Sequence, residues 1–452
     1  MSDRTSSSTA GVTWRLADAP VLAADADTGL RQTLLMTNAA GFLAGYYAMH
    51  NQWVQLAWFG LMTAAWFWAG GFQDFRQSLR RDRWLVSLIG LASLLLFRSS
   101  IVESPGMGIH DLWLGWLNTA MLVAALMMLW QAGSRPRAVK ALGLPLVATA
   151  CAAAAGSMLI FYFFSSGAMF GSRLNNWFIY GGWNSVCTGI TFGFAATWAM
   201  YGWHHASARR EKLIWLLMSL TLIAGTLLTM SRGAFLALVI GHAGLVVARG
   251  WRDSLKPVSL LLACIFIFQL SAPLITRIAV WDASRHQGSS AKVVTANSLA
   301  DQIIVSNPAA RLVERADNGR FEIYGAALQS MSTWQDWLWG KGLWSANDFW
   351  SCSLHWYPEH LHSIFMDALV RGGIPTLLGL LAIFGWGLGR AFVLAREGEE
   401  LWFMLACYGF AGVLFDGDSA FSLLTVPRFE VLILWVPLVI ASARYSMVRC
   451  AS

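Results

Sequence analysis

Apolar runs close to twenty residues long recur along nearly the whole chain, and they restrict its possible folds more than any other feature. A helical run of this length crosses the roughly 30 Å of hydrocarbon in a bilayer. In lipid every backbone N–H and C=O group needs a partner, and a helix supplies these partners within itself. Charged residues make up 13% of the chain, against about 25% in typical soluble domains. We therefore predict an all-α polytopic membrane protein.

Twelve membrane spans can be traced along the chain. They are predicted at 34–49, 52–72, 84–97, 112–130, 142–164, 183–203, 213–230, 234–247, 258–275, 374–394, 401–415 and 431–445. They divide the chain into a tail (1–32), nine spans (33–275), a long loop (276–373), three spans (374–446) and a short tail (447–452). The first 30 residues contain no apolar segment typical of a cleavable signal peptide, so we expect the first span to direct insertion.

Basic residues fall mainly on one side of the predicted bundle. The side that holds both termini has 20 lysines and arginines, and the opposite side has 12. Because loops rich in Lys and Arg stay in the cytoplasm, we assign the termini to the cytoplasm and the long loop to the periplasm. Residues 277–359 of that loop hold seven basic and eight acidic side chains. The net charge of +7 therefore reflects topology and does not indicate a nucleic-acid surface.

The long loop is predicted to contain an amphipathic helix that begins near Asp317 or Asn318, both of which suit a helix N-cap. Apolar residues then recur at helical spacing, on a face that would lie on the membrane or roof a cavity. This face consists of Phe321, Tyr324, Leu328, Met331, Trp334 and Leu338. Six tryptophans follow between 334 and 356. They either stack on sugars or form an interfacial aromatic belt.

The loop returns to the membrane through the stretch 362–375, HSIFMDALVRGGIP. His362 stands at the head of a short apolar helix predicted there, and histidine can change protonation near neutral pH without special tuning. His355, Glu359 and His360 are nearby and are of the residue types that bind zinc, but their spacing matches no defined site. The six cysteines are scattered without CxxC spacing. We therefore predict no metal centre and no disulfide framework.

Five arginines fall on the outer side of the bundle, where the topological bias disfavours positive charge. They are Arg98, Arg173, Arg232, Arg371 and Arg428. Arg232 lies in a short turn between two apolar spans, where an ionisable residue either faces a cavity or partner or snorkels to lipid phosphate. Guanidinium groups bind phosphate oxygens in bidentate fashion, so these arginines suit a pyrophosphate. The pair Asp416 and Asp418 is either a metal or acceptor-sugar contact or a solvated turn.

Three short motifs link these features to a known family. They are TMSRGA at 229–234, GRFEIY at 319–324 followed by WGKG at 339–342, and His362-Ser363 followed by GGIP at 372–375. In these motifs, and in a long loop after the ninth of twelve spans, the chain resembles the bacterial O-antigen ligases within the ligase/polymerase superfamily. The resemblance implies a glycosyltransferase with a GT-C-like helical bundle and a large periplasmic loop.

The resemblance also implies an activity and a site. The reaction would transfer O-antigen from undecaprenyl pyrophosphate to a sugar hydroxyl of lipid A-core, without a metal or cofactor and with inversion at the anomeric carbon. Arg232 and Arg320 would hold the pyrophosphate, and His362 would be the catalytic base. The accessory candidates are Arg173, Arg371, Arg428 and Asp416. Many relatives have Asn where this chain has Ser363, so the partner that orients His362 stays open.

Three alternatives stay open at this point. An O-antigen polymerase would use the same chemistry with a growing polysaccharide as acceptor. A protein-directed oligosaccharyltransferase usually has additional C-terminal sequence that is absent here. A polysaccharide or lipid transporter would show paired inverted repeats and broken helices at the membrane midplane, and the sequence shows neither.

Overall fold

The structure is a computed structural model that describes residues 26–72, 75–101, 109–135, 138–164, 173–179, 184–286, 320–342, 360–417, 423 and 428–451. Before the long loop its helices are α1 (Ala26–Gly45), α2 (Gln52–Trp68), α3 (Phe75–Arg81), α4 (Arg83–Ile101), α5 (Ile109–Gly133), α6 (Ala138–Leu159), α7 (Ser185–His205), α8 (Arg209–Leu228), α9 (Arg232–Arg249) and α10 (Trp251–His286). After it come α11 (Arg320–Ser330), α12 (Trp334–Trp339), α13 (Ile364–Arg396), α14 (Leu401–Asp416) and α15 (Val436–Ala451). Short π-helical turns at Ile160–Phe164 and Val431–Trp435 continue α6 and precede α15.

Each predicted span overlaps one helix of at least sixteen residues. Seven helical stretches are long and apolar enough to cross a membrane: Trp113–Gly133, Ala138–Phe164, Arg209–Leu228, Arg232–Arg249, Trp251–Ser271, Ile364–Arg396 and Val431–Arg449. Arg83–Phe97 and Leu401–Leu414 are shorter apolar helices. The described residues include no β-strand. The predicted all-α polytopic membrane fold is confirmed, whereas the number of twelve crossings stays a prediction.

Two predicted elements differ from the structure. Helix α10 runs to His286, eleven residues beyond the predicted end of the ninth span. Falling hydropathy alone does not end a helix, and no glycine or proline follows the predicted end until Gly288. The amphipathic helix of the loop is divided into α11 and α12. Thr333 begins a new helix there through a capping box with Asp336. Of the predicted apolar face, Phe321 is 75% exposed, as a residue that lies on the membrane would be, and Met331 is buried; Ile323, which is outside that face, is also buried. Where this face lies stays a prediction.

The helices share one large apolar core. α7 packs against α8 and α9, α14 packs against α9, and α15 packs against α5 and α13. Among the described residues a second, smaller core joins α11 to the start of α13; it contains Ile323, Ala326, Ala327, Met331, Leu361 and Val370. This smaller core holds the elements of the long loop against the bundle.

The end of the bundle where α9 finishes carries most of the basic residues. Buried polar contacts there join helices that are distant in sequence. Asp82, between α3 and α4, is fully buried and accepts hydrogen bonds from Trp130 Nε1 at 2.8 Å and from Arg390 and Ser442, each at 2.5 Å. Arg396 Nη1 donates to the Ala248 carbonyl at 3.2 Å. The opposite end, where α9 begins, holds the predicted site.

Candidate active site

Arg232 is the first residue of α9, immediately after a tight turn. Met230 adopts a positive φ of 49° in this turn. The Ser231 hydroxyl accepts a hydrogen bond from Ala234 N at 3.2 Å, and Thr229 Oγ1 accepts one from Ser231 N at 3.3 Å. The half-buried Arg232 thus lies at a helix N-terminus, where free N–H groups and the helix dipole favour an anion.

Arg173 lies beside the same turn. Its Nε donates to the Thr229 carbonyl at 3.0 Å, and Leu174 N donates to the Leu228 carbonyl at 3.0 Å. The structure therefore places Arg173 next to the turn that precedes Arg232. This proximity is a condition for both arginines to belong to one site.

A buried asparagine, which the sequence analysis missed, anchors the segment that carries Arg173. Asn176 is 1% exposed, and its backbone N donates to Thr188 Oγ1 at 3.1 Å. Its Oδ1 accepts hydrogen bonds from Ser157 Oγ at 3.0 Å and Phe178 N at 2.7 Å. A buried amide oxygen with two donors fixes the local backbone, so Asn176 positions Arg173. No motif in the sequence marks it.

His362 lies directly before α13, as predicted. Its φ of +55° is uncommon for a residue with a side chain. Its backbone N donates to His360 Nδ1 at 3.2 Å, and the two imidazole rings are 4.0 Å apart at 61°. Ser363 occupies the N-cap position but makes no side-chain cap bond. His360, to which the sequence analysis gave no role, is therefore one partner of His362.

Glycines bring the third motif into contact with the second. Gly373 divides α13 with φ 75° and ψ 179°. A Cβ there would lie 2.6 Å from Leu338 C and 2.8 Å from Trp339 N, so only glycine fits this approach. Lys341 N and Gly342 N donate to the carbonyls of Val370 and Arg371 at 2.8 and 3.0 Å. These bonds fix the WGKG segment on the last turn of the part of α13 before Gly373, which we call the His362 helix.

The same segment is held by a charged pair outside the spans. Lys341 Nζ lies 2.9 Å from Asp336 Oδ2, and Asp336 also accepts the Thr333 N–H at 3.0 Å. Burial raises the pKa of the Asp336 carboxyl, but the hydrogen bonds from Lys341 and Thr333 outweigh this effect and hold the pKa below its usual range. Asp336 is therefore ionised at neutral pH and anchors α12.

Arg320 begins α11, and this helix shares the smaller core with the His362 segment. Ile323 and Ala327 are buried against Leu361 and Val370, which flank His362 on either side in sequence. Arg320 itself is half-buried. The structure thus places the Arg320 helix and the His362 segment in one packed unit. The predicted caps Asp317 and Asn318 lie outside the described residues.

Helix α14 connects this unit to the Arg232 turn. Because Arg396 bonds to Ala248 near the end of α9 and α14 begins five residues later, α14 ends at the level where α9 begins. At that level a side chain added at Gly417 would come within 2.5 Å of Ile364 Cγ2. Arg232, Arg320 and His362 therefore stand on elements at the same end of the bundle.

The remaining accessory candidates are placed differently. Arg371 Nε donates to Asp367 Oδ1 at 2.6 Å, with the two side chains 12% and 1% exposed, so this arginine forms a buried ion pair. Arg428 Nε is 3.6 Å from Glu430 Oε2. Asp416 ends α14, but its side chain is outside the described set, as are those of Arg98 and Asp418.

The described residues around the site contain exposed aromatic rings and no cluster suited to a metal. Trp334, Trp337 and Trp339 of α12 are 68%, 37% and 51% exposed, whereas the other three predicted tryptophans lie outside the described residues. Among described residues, no group of three His, Cys, Asp or Glu side chains could hold a metal ion. His355 and Glu359 of the predicted cluster are outside that set.

Comparison with protein-family models gives a match. Residues 217–381, a little over a third of the chain, match a family model described as O-antigen ligase. A search of curated proteins found no match. This match indicates a glycosyltransferase-type enzyme whose substrates are, in general, polysaccharide and lipid-linked. Residues 217–381 are thus similar to the O-antigen ligase/polymerase superfamily, and the chain that carries them is a multi-pass membrane protein.

Proposed function

We propose that this protein is an O-antigen ligase that transfers the polysaccharide from undecaprenyl pyrophosphate to a sugar hydroxyl of lipid A-core. One observation carries the proposal: the family match at 217–381 includes Arg232, Arg320 and His362, and the elements that bear them meet at one end of the bundle. The partners are the lipid-linked donor, the lipid A-core acceptor and membrane lipid.

The two arginines would bind the donor pyrophosphate. Arg232 is the first residue of α9, and Arg320 is the first described residue of α11. A guanidinium fork binds phosphate oxygens through paired, charge-assisted hydrogen bonds. Neutralising both phosphates stabilises the negative charge that develops as the anomeric C–O bond breaks. The arginines thereby supply the positive charge that a divalent cation would otherwise bring to the pyrophosphate.

His362 would act as the general base. Its imidazole takes the proton of the acceptor hydroxyl while that oxygen forms a bond to the anomeric carbon. Undecaprenyl pyrophosphate leaves from the opposite face with the bonding electron pair, so a single displacement inverts the configuration. His360 Nδ1 accepts a hydrogen bond from the backbone N–H of His362, and this bond orients the segment that carries the base. The exposed tryptophans of α12 offer faces on which sugar rings stack.

The proposed location is the bacterial inner membrane, with the site facing the periplasm. The segment assignments of the sequence analysis (1–32, 33–275, 276–373, 374–446 and 447–452) form part of this proposal. Support comes from the end of the bundle opposite Arg232, where Arg249, Arg396 and Arg444 collect. Cysteines introduced at positions 137 and 320 test it in intact cells: an impermeant reagent should label only position 320, and labelling at 137 would reverse the arrangement.

Deletion and complementation test the reaction itself. Removing the gene from a strain with full-length lipopolysaccharide should abolish the polysaccharide ladder and accumulate the lipid-linked polymer. A band with a single repeat unit would instead identify a polymerase. Complementation with His362→Ala should fail, by about 10² to 10⁴ in rate, while the purified variant still binds lipid-linked donor. Near-normal turnover, or loss of donor binding in step with activity, would make His362 a structural residue or a phosphate ligand.

A further inference from the structure

A second polar cavity lies at the end of the bundle opposite the proposed site. Its volume is about 310 Å³, at the lower end of the roughly 300–1,000 Å³ typical of ligand sites. It is bounded by the last turn of α7, the end of α9, the first turns of α10 and the residue before α14. Its charged and titratable lining consists of His204, His205, Arg249, Arg252, Asp253, Lys256 and Glu400.

The cations of this cavity are available for a ligand. Within the part of the chain that the structure describes, Arg249, Arg252 and Lys256 make no ion pair and no side-chain hydrogen bond. Arg249 and Lys256 lie on either side of the break between α9 and α10, so their charges converge on one space. Guanidinium and ammonium groups that converge in this way bind a phosphate group.

Glu400 adds the opposite charge at the base of the cavity. Its side chain is 3% exposed, and its Oε1 lies 2.9 Å from His205 Nε2. Its Oε2 is buried without a hydrogen-bond partner. A buried carboxylate oxygen in this state is costly and is stabilised by a cation. Among described residues no group of three side chains is arranged to hold a metal ion, so an organic ammonium group fits better.

The helix α10, which lines the cavity, also has an exposed apolar surface suited to lipid. Trp251, which begins α10, is 58% exposed, as expected for a tryptophan at the membrane interface. Leu255, Leu262 and Phe266 continue along α10 and are 45%, 56% and 63% exposed. This apolar strip lies on the helix whose first turns line the cavity, and it gives acyl chains a surface next to the lining residues in sequence.

We propose that the cavity binds a phosphoethanolamine group, presented as the headgroup of a bilayer lipid. The phosphate would bind Arg249, Arg252 and Lys256, and the ammonium would pair with Glu400. The site is independent of the proposed transferase activity, because it lies at the opposite end of the bundle and shares no residue with it.

Native mass spectrometry of the purified full-length protein tests this site. The probes are dioleoyl phosphatidylethanolamine, dioleoyl phosphatidylglycerol and soluble phosphoethanolamine. The wild-type protein should retain the ethanolamine lipid at least about tenfold more than the glycerol lipid, because the latter lacks the ammonium that Glu400 binds. Glu400→Gln should remove this preference while keeping both lipids bound. Arg252→Gln with Lys256→Gln should release both.

The matched control is Arg209→Gln with Arg210→Gln, two exposed cations at the same end but outside the cavity. This control should retain lipid like the wild type, and its melting temperature should rise on addition of phosphatidylethanolamine as the wild type's does. The Arg252→Gln with Lys256→Gln variant, which should release both lipids, should show no such rise even where it folds. Binding of soluble phosphoethanolamine without the lipid would keep the ligand chemistry but assign a soluble source. Equal retention of both lipids by the wild type, or equal losses in control and cavity variants, would overturn the proposal.

Discussion

Replacing Gly373 by alanine should detach the WGKG segment from the His362 helix. Gly373 has φ 75° and ψ 179°, a region essentially reserved for glycine, and another residue there costs about 1–3 kcal/mol. The added Cβ would also lie 2.6 Å from Leu338 C and 2.8 Å from Trp339 N. Moving this backbone away costs a further 1–3 kcal/mol or so. The two effects together destabilise the contact by about 2–6 kcal/mol.

The amide protons of Lys341 and Gly342 report this contact directly, because they donate to the carbonyls of Val370 and Arg371. A loss of at least about 2 kcal/mol should speed their hydrogen exchange by at least roughly thirtyfold, at 1.36 kcal/mol per factor of ten. Ligation activity should fall in parallel because the segment fixes the helix that begins after His362.

Gly389→Ala is the matched control on the same helix. A Cβ at Gly389 meets no atom within 4 Å, and alanine in a helix is favoured over glycine by about 0.5–1 kcal/mol. This variant should keep both slow exchange and activity. If Gly373→Ala exchanged as slowly as Gly389→Ala and ligated as well, the strained kink would not be what holds the two motifs together.

Three further outcomes are expected. Arg232→Lys keeps the charge but loses the bidentate fork, and should lower turnover by roughly 10²-fold in a donor-saturated ligation assay; full activity would remove Arg232 from the pyrophosphate site. Asp82→Ala leaves Arg390 buried without its carboxylate and should cost about 3–5 kcal/mol in thermal or denaturant unfolding, whereas an unchanged midpoint would show that the network contributes nothing. The folded-state pKa of Asp336 is lowered, so its contribution to stability is present above its unfolded pKa of about 3.9 and is lost as pH falls through the folded value. Helix α12 should therefore loosen in that acidic window, and Asp336→Asn should abolish this dependence of its stability on pH.

The helical bundle could be predicted from sequence because a bilayer admits few alternatives. Each apolar run needed a helix, and each of the twelve predicted runs overlaps one. The long loop was harder to predict, because outside lipid local capping decides where helices end. The capping box of Thr333 and Asp336 begins α12 separately from α11. Packing into the smaller core buries Ile323, and periodicity along the chain does not mark this residue.

The site could be predicted only as a set of residue types. Motifs marked Arg232, Arg320 and His362, but they said nothing about neighbours distant in sequence. The hydrogen bond from Asn176 N to Thr188 Oγ1 depends on how three helices pack, and no pattern along the chain marks it. His360 lies two residues from His362, yet the bond from His362 N to His360 Nδ1 depends on a local turn that sequence periodicity does not report.

The Asp82 network imposes an order on biogenesis. Asp82 enters the membrane region early in synthesis, but Arg390 and Ser442 lie 308 and 360 positions later in the chain. Until the ribosome has delivered α13 and α15, the nascent protein holds a carboxylate near lipid with only part of its ligands. The first third of the bundle can therefore complete its polar contacts only after the last helix has been inserted. Chains that terminate before Ser442 should stay incompletely assembled in the membrane and be removed by quality-control proteases.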